Sequence, residues 1–377
     1  MQIVLVGAGH AHLHLVRQAG ALRRTGIDLT LISPATFLYS GLASAALSGG
    51  MALDVGEIDV ARLAATHGVR HLADTAQALD RDRREVQLTG GGTVSYDAVS
   101  FNIGSRLHDP ERLLSEPGVW PAKPLDALLS LRPMIEARIA DTGKCPAIVV
   151  AGGGQSANEL AAALCGLCER HGVTPQIVVI HPDTAQTWAP PGARRRLRAQ
   201  MRQRGVDFRN GRVIRRSPGR CQLASEELLD CEVLLLATGL VGPDLLGRLG
   251  LAVNDRGQIV TTATLQSISD PRVFAVGDCA VIAGAERPCA GVFGVRAAPI
   301  LLKNLMALSR NMPLTAYRPP TRWLSIMDLG NGTGLAQWGR AWWLGAMALR
   351  WKRWLDLGFV RSIRSAEVRL HAEGIDG

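Results

Sequence analysis

No cysteine occurs before Cys145 in this chain of 377 residues, and the seven cysteines that it does have are odd in number and scattered. A secreted disulfide scaffold has dense, evenly counted cysteines, so that class is excluded and a reducing cytoplasm is expected. The N-terminus lacks a basic region and a cleavage site. It opens directly on Gln2-Ile3-Val4-Leu5-Val6, so no secretory signal is expected. No uninterrupted apolar run reaches the ~18 residues of a bilayer span, which limits any membrane attachment to the surface. Aromatic residues are few, at 5% of the chain, yet four of the eight tryptophans fall within 340–364.

Apolar residues and glycine are plentiful. Hydrophobic residues make up 47% of the chain, enough for proper cores, and its length exceeds what one core usually supports, so two or three domains are expected. The 41 glycines cluster at the ends of apolar runs, where they mark turns and close backbone approaches. A net charge of +9 suits an acidic partner: nucleic acid, an anionic membrane face or a phosphate-rich cofactor. The total alone does not choose among them.

Residues 2–6 form a continuous apolar run ending in Gly7-Ala8-Gly9, the pattern of a buried parallel strand. A helical stretch from His10 to about Arg24 and a strand over 27–32 complete a βαβ unit. Residues 146–151 repeat the pattern, leading into Gly152-Gly153-Gly154, a helix over 156–170 and a strand over 176–180. Two further buried strands, within 231–239 and 272–279, end in tight turns at Gly239 and at Gly277-Asp278. Beyond Tyr317 the chain reads as strand-like, then Trp-rich and basic, as a small C-terminal domain.

Both glycine loops stand between a strand and a helix, the context a dinucleotide requires. Glycine turns the chain tightly and lets a pyrophosphate approach the backbone, while the helix N-terminus offers unpaired N–H groups to the anion. The first loop has His12 where a third glycine would pack helix on strand, so either the helix stands off or His12 points outward. The second loop carries Ala157 at that place, a permitted variant. An ordinary βα turn is the alternative for either loop alone. The acid that grips a ribose is absent twice, replaced by Ser33 and by His181. The histidine removes a carboxylate that would repel a 2′-phosphate, so NADH and NADPH both stay open. Arg194, Arg195 and Arg196 read as the solvated face of an amphipathic helix built on Leu197 and Met201.

The order GAGHAH, YDAVSFNIGS at 96–105, GGGQSANE at 152–159, ATG at 237–239 and VFAVGDCA around Asp278 resembles the pyridine nucleotide–disulfide oxidoreductase superfamily. Within it the chain looks like the type II NADH dehydrogenase branch. It looks closer still to the flavoprotein found alone or fused to selenide water dikinase. GHAH, YSG at 39–41, AYRP at 316–319 and RWKRWLD at 350–356 carry that closer match. The resemblance spans nearly the whole chain and implies an α/β fold: two Rossmann-like dinucleotide-binding domains with a small C-terminal α+β region. FAD would occupy residues 1–120 and 240–315, NAD(P) residues 121–239, and residues 316–377 would form an interface or membrane-surface region.

The same resemblance implies site residues. Gly7 and Gly9 would hold the FAD pyrophosphate, with His10 at the helix start beside it. Ser33 would lie by the adenosine ribose, and Ala76 would offer backbone to adenine. Tyr39, Gly104, Gly277 and Phe293 would join the cofactor contacts. Asp278 would hydrogen-bond the ribitol or phosphate, and Lys123 would approach the isoalloxazine. Gly152, Gly154, Gln155 and Gly239 would face NAD(P)H. Glu159, the catalytic candidate, would sit near the nicotinamide–flavin junction. A helix starting within 291–296 would aim its N-terminus at the flavin pyrimidine oxygens.

Departures from the family pattern bear on the acceptor. Ala297-Ala298 stand where this branch has Gln and Gly, close to the expected acceptor pocket, and the stretch after Gly41 lacks an expected proline. Disulfide reductases carry a Cys-x4-Cys pair after the first βαβ unit. With no early cysteine, electrons do not leave that way. Cys145 with Cys289 is the one pair imaginable at the flavin face, as a sulfide–quinone reductase requires, and Cys279 reads as a small packed side chain. Cys165-x-x-Cys168 with His171, and His10 with His14, have metal-ligand spacing but lack further ligands, so no metal is expected.

Read as one helix, 340–364 puts Trp343, Met347, Trp351, Trp354 and Leu355 on one side, flanked by Arg350, Lys352 and Arg353. That suits a membrane interface; docking on the flavin domain or on a dimer partner is the alternative. The expected function is NAD(P)H dehydrogenation through FAD to a small diffusible acceptor, with a quinone as one candidate. A specialised oxidoreductase of selenium or sulfur metabolism and a non-catalytic flavin- or nucleotide-binding sensor are the alternatives. A homodimer and a place on the inner face of the cell membrane are compatible with these readings. A nucleic-acid partner is not expected.

Overall fold

The computed structural model describes residues 1–182 and 188–364. Two five-stranded parallel sheets organise it, and they repeat one another. The first runs in the order Val273–Ala275, Ala98–Phe101, Gln2–Val6, Asp28–Ile32, Arg70–Leu72. The second runs Val119–Pro121, Val233–Leu236, Ile148–Ala151, Ile177–His181, Val206–Asn210. Each centres on the strand that opens a βαβ unit. In each, a three-stranded antiparallel meander precedes the strand that returns to pair on the far side of that centre. The central strands are covered on both faces, which is why Ile3, Val4 and Leu5, like Ile148, Val149 and Val150, form unbroken apolar runs. Strand order reverses beside each centre. That reversal opens a crevice at the carboxyl ends of the strands, and both glycine loops lie there.

Two local expectations are corrected. The stretch after the first loop is two helices, His10–Arg17 and Ala19–Arg23, because Gln18 (φ −97°, ψ 8°) leaves helical geometry. Residues 340–364 are not one helix. Trp342 and Trp343 lie on the strand Ala341–Gly345, paired with Gln337 and Ala336, and the helix Ala346–Arg364 begins only after Gly345. That strand closes a meander with Leu324–Asp328 and Gly334–Trp338. The helix Gly291–Ser309 is long and apolar enough, by length and composition, to cross a membrane. In this molecule it packs on the helix His10–Arg17, with Ala297, Ala298, Leu301 and Leu305 in the core of the first sheet.

Candidate active site

The first crevice is built around Asn102. Gly7 takes a left-handed backbone (φ 90°), and its N–H donates to the Ile32 carbonyl at 2.8 Å. Gly9 is the N-cap of the helix His10–Arg17 and has no side chain to cap it. Asn102 Oδ1 does so instead, accepting from the N–H groups of Ala11 (3.1 Å) and His12 (3.4 Å). Its Nδ2 donates to the Val276 carbonyl at 2.8 Å. A Cβ on Gly9 would fall inside the Asn102 side chain, and one on Gly277 (φ 76°) would meet its Nδ2. One buried amide therefore ties the first loop to the Gly277-Asp278 turn.

His12 neither points outward nor holds the helix away. It is fully buried, with Nδ1–H donating to the Gly7 carbonyl (2.6 Å) and Nε2 accepting from Ser100 Oγ (2.9 Å). Burial lowers its pKa to about 4, so the ring is neutral. Burial likewise lowers His10 to about 4. The His10 ring stands edge-on to Phe37 and Tyr39, each at 5.5 Å, and tilted to Phe359 at 5.2 Å.

Asp278 accepts from Ser105 Oγ at 2.9 Å and from Lys123 Nζ at 3.0 Å, and Lys123 also donates to Ser105. Gly104 (φ 73°) beside them faces open space. Phe293 lies in the first turn of the helix Gly291–Ser309, its carbonyl accepting from Tyr317 OH at 3.2 Å. Ser33 is buried, its hydroxyl bonded to the Pro34 carbonyl and to His71 Nε2. Ala76 is buried at the start of the strand Ala76–Asp80.

In the second crevice, a Cβ on Gly152 would strike the Ala237 carbonyl, while Gly154 and Gly239 face open space. Gly154 is the N-cap of the helix Gln155–Arg170, again without a side-chain cap. The Gln155 side chain bonds Ser325. Glu159 belongs to an ionic network rather than standing free. Its Oε1 accepts from Ser44 Oγ (2.8 Å) and the Asp328 N–H (2.9 Å), and Lys352 Nζ lies 3.9 Å away. Lys352 also donates to Asp356 (2.9 Å) and to the Gly41 carbonyl (2.8 Å), and Tyr39 OH donates to Asp356 at 2.9 Å. Burial raises the Glu159 pKa. Burial works to lower Lys352, but the Glu159 and Asp356 carboxylates outweigh it.

The cysteines do not form the one pair imaginable at the flavin face. Cys145 Sγ lies 2.8 Å from Cys168 Sγ in the core of the second sheet, far from Cys289, which contacts Gln258 and the Asp278 carbonyl. Cys279 is packed, as its size suggests, with its thiol directed at the Phe101 and Val276 carbonyls. Among the described residues no group of three His, Cys, Asp or Glu could hold a metal.

The sequence model of the pyridine nucleotide-disulphide oxidoreductase family matches residues 1–300. The chain belongs to this family. It is 26% identical over 281 residues to an NADH dehydrogenase-like protein of Mycobacterium tuberculosis, covering 70% of this chain and 69% of that one. It is 24% identical over 391 aligned positions to the nitric oxide reductase FlRd-NAD(+) reductase of Pectobacterium atrosepticum, covering 100% of this chain and 94% of the relative. Its fold matches the sulfide:quinone oxidoreductase of Aquifex aeolicus with a TM-score of 0.82 at 16% identity, covering 97% and 92% of the two chains. The chain is an NAD(P)H-dependent flavoprotein oxidoreductase, and its cofactors are FAD and NAD(P)H.

The residues of both crevices fit this pyridine nucleotide-disulphide family chemistry. Gly104, Gly154 and Gly239 leave cradles that a side chain would fill, and the helix at Gln155 presents uncapped N–H groups to an anion. Sequence reasoning missed Asn102, Ser105 and the Lys352–Asp356 pair. A polar Asn closing the apolar run Ala98–Phe101 was a visible signal. Lys352 and Asp356 stand four apart on a helix, a spacing open to view, but their partners Glu159 and Tyr39 lie far away in the sequence and left no local signal.

Proposed function

We propose that this chain is a type II-like NAD(P)H dehydrogenase delivering electrons to a small diffusible acceptor, a quinone. The observation that carries this reading is the placement of the thiols. Cys289 is directed at Gln258 and Asp278, Cys279 at backbone carbonyls, and the other five lie in the core around the second sheet. No dithiol stands at the first crevice, so the acceptor must meet the cofactor directly. FAD, held by the first glycine loop, would supply the redox chemistry of hydride acceptance from a nicotinamide and electron transfer to the acceptor.

The protein's own groups bind and orient. The two glycine loops would hold the pyrophosphates. Lys123 and Ser105 fix the Asp278 carboxylate. The neutral His10 ring, wedged among Phe37, Tyr39 and Phe359, excludes water beside it. The Glu159–Lys352–Asp356–Tyr39 network clamps the C-terminal helix over the site. Stopped-flow absorbance on the purified holoenzyme tests the reading. NADH or NADPH should bleach the flavin, and a water-soluble quinone should restore its colour. Absence of bleaching with both nicotinamides would sink it.

A lipid-soluble acceptor fits the outer face of the C-terminal helix. Trp354 (72% exposed), Met347 (67%), Trp351 and Leu355 project from it, and Trp343 stacks on Trp351 at 5.8 Å. With Arg350 alongside, this ridge suits an anionic bilayer on the cytoplasmic side. Trp351→Ser with Trp354→Ser should abolish co-sedimentation with anionic phospholipid vesicles. A concentration-dependent dimer that ignores vesicles would overturn the membrane reading.

A selenium- or sulfur-specific acceptor is the second reading, and one observation favours it. The segments carrying the closer resemblance converge: His10 touches Tyr39, Tyr39 bonds Asp356, and Lys352 bonds Gly41. Equal rates with simple quinones and with selenium compounds would count against it.

A further inference from the structure

Five of the seven thiols lie in the cores around the second sheet, and Cys145 and Cys168 are in contact there. The Cys168 S–H donates to Cys145 Sγ at 2.8 Å. Both residues are buried, Cys168 fully and Cys145 to 4% exposure. A lone buried thiol is inert. Cys145 differs in two ways. The hydrogen bond from Cys168 holds its pKa below the ordinary thiol range, against burial, so one sulfur is the nucleophile and the other the proton donor. It also sits in the irregular stretch between the helix Leu125–Thr142 and the strand Ile148–Ala151, next to exposed Gly143 and Lys144. A small oxidant needs only a local opening of that turn to reach it. Cys165, one helical turn before Cys168, is no competitor. Its Sγ is directed at Glu169 and at the Arg204 carbonyl, both at 3.5 Å, and burial pushes its pKa up to about 12. Cys145 and Cys168 bracket a single βα unit. Cys145 precedes the strand that runs into Gly152, and Cys168 lies in the last turn of the helix that starts after Gly154. The sulfurs therefore meet at the end of the unit opposite the second glycine loop.

We propose that Cys145 and Cys168 are a site of reversible oxidation, forming a disulfide that latches the strand and helix carrying the second glycine loop, with hydrogen peroxide as the oxidant. The Cys145 thiolate attacks one peroxide oxygen, the O–O bond breaks, and the hydroxide released takes up a proton and leaves as water. Cys145 is then a sulfenic acid. Cys168 gives up its proton, its sulfur attacks Cys145 Sγ, and the sulfenic oxygen leaves as a second water. Two thiols lose two electrons and two protons, and one peroxide becomes two waters. The bond closes a ring over residues 145–168 and restricts the unfolded chain, so the oxidised protein is the more stable form. It braces the glycine loop from the far end of the unit and takes no part in the electron path to the acceptor.

Two measurements on the folded, FAD-loaded protein test this. In the first, hydrogen peroxide is added, the remaining thiols are alkylated, and a digest made without reductant is read by mass spectrometry. Peptides carrying Cys145 and Cys168 should appear joined, with the loss of two hydrogens, and dithiothreitol should separate them. The second is the melting temperature. Oxidation should raise it by about 5 °C or more, a gain that dithiothreitol reverses and that Cys168→Ala never shows. Free thiols at both positions after treatment overturn the proposal. So does a link that forms only in the urea-unfolded chain, because the folded contact is then not its cause. Sulfinic acid at Cys145 with no link overturns it as well, and a link that leaves the melting temperature unchanged overturns the latch. If Cys168→Ala does not fold, the peptide mapping and the dithiothreitol reversal on the wild type decide by themselves.

Discussion

His12 shows how one residue can satisfy a position that glycine usually holds. Both ring nitrogens find partners inside the fold, the Gly7 carbonyl and Ser100 Oγ, and the buried ring stays neutral. Its pKa of about 4 when folded lies below the ~6.5 of an unfolded histidine, so between these values only the unfolded chain takes up the proton. The stability it contributes is present above pH 6.5 and lost as the pH falls towards 4, on the order of 3 kcal/mol. Urea unfolding at pH 7.5 and 4.5 should show a steep loss for the wild type. His12→Gln should start lower and lose less, and an unchanged pH slope would clear His12 of that role. His12 was visible as a departure from the glycine pattern, but the outcome was not, because Ser100 lies 88 positions away.

At the scale of elements, the C-terminal helix Ala346–Arg364 is held by charge inside and leaves apolar groups outside. Lys352 and Asp356 are each 12% exposed at the side chain and Glu159 18%, whereas Trp354 and Met347 face solvent. Truncating Lys352 to Met leaves two buried carboxylates without their cation and should cost about 3 kcal/mol in urea unfolding. Adding Glu159→Gln and Asp356→Asn to Lys352→Met should recover part of that loss; no recovery would mean the lysine acts by packing alone. The helix-period pattern of Trp343, Met347, Trp351 and Trp354 was legible. That Trp343 sits on a strand was not, since the hairpin pairing of 334–338 with 341–345 overrides a pattern read along one segment.

For the whole molecule, the first crevice draws Gly7, Asn102, Lys123 and Asp278 from distant parts of the chain; with FAD placed there, as proposed, the cofactor should act as a clasp for the first sheet. Excess FAD at about a hundredfold over its Kd should add about 2.7 kcal/mol to that half's unfolding free energy. Scanning calorimetry of the apoprotein should show the first-sheet transition lowered and the second little changed; coincident apo and holo melts would contradict this. The unbroken apolar runs and the glycines that end them were enough, read along the chain, to reveal two parallel-sheet units and the glycine loops at their crevices. Burial on both faces and close backbone approach each leave a mark on local composition. The amide that closes the first loop, the thiol pairing of Cys145 with Cys168 and the network that seats the last helix were decided by the tertiary structure alone. Each joins side chains far apart in sequence, and hydrogen bonds and charges act across space, where no local pattern records which partner will arrive.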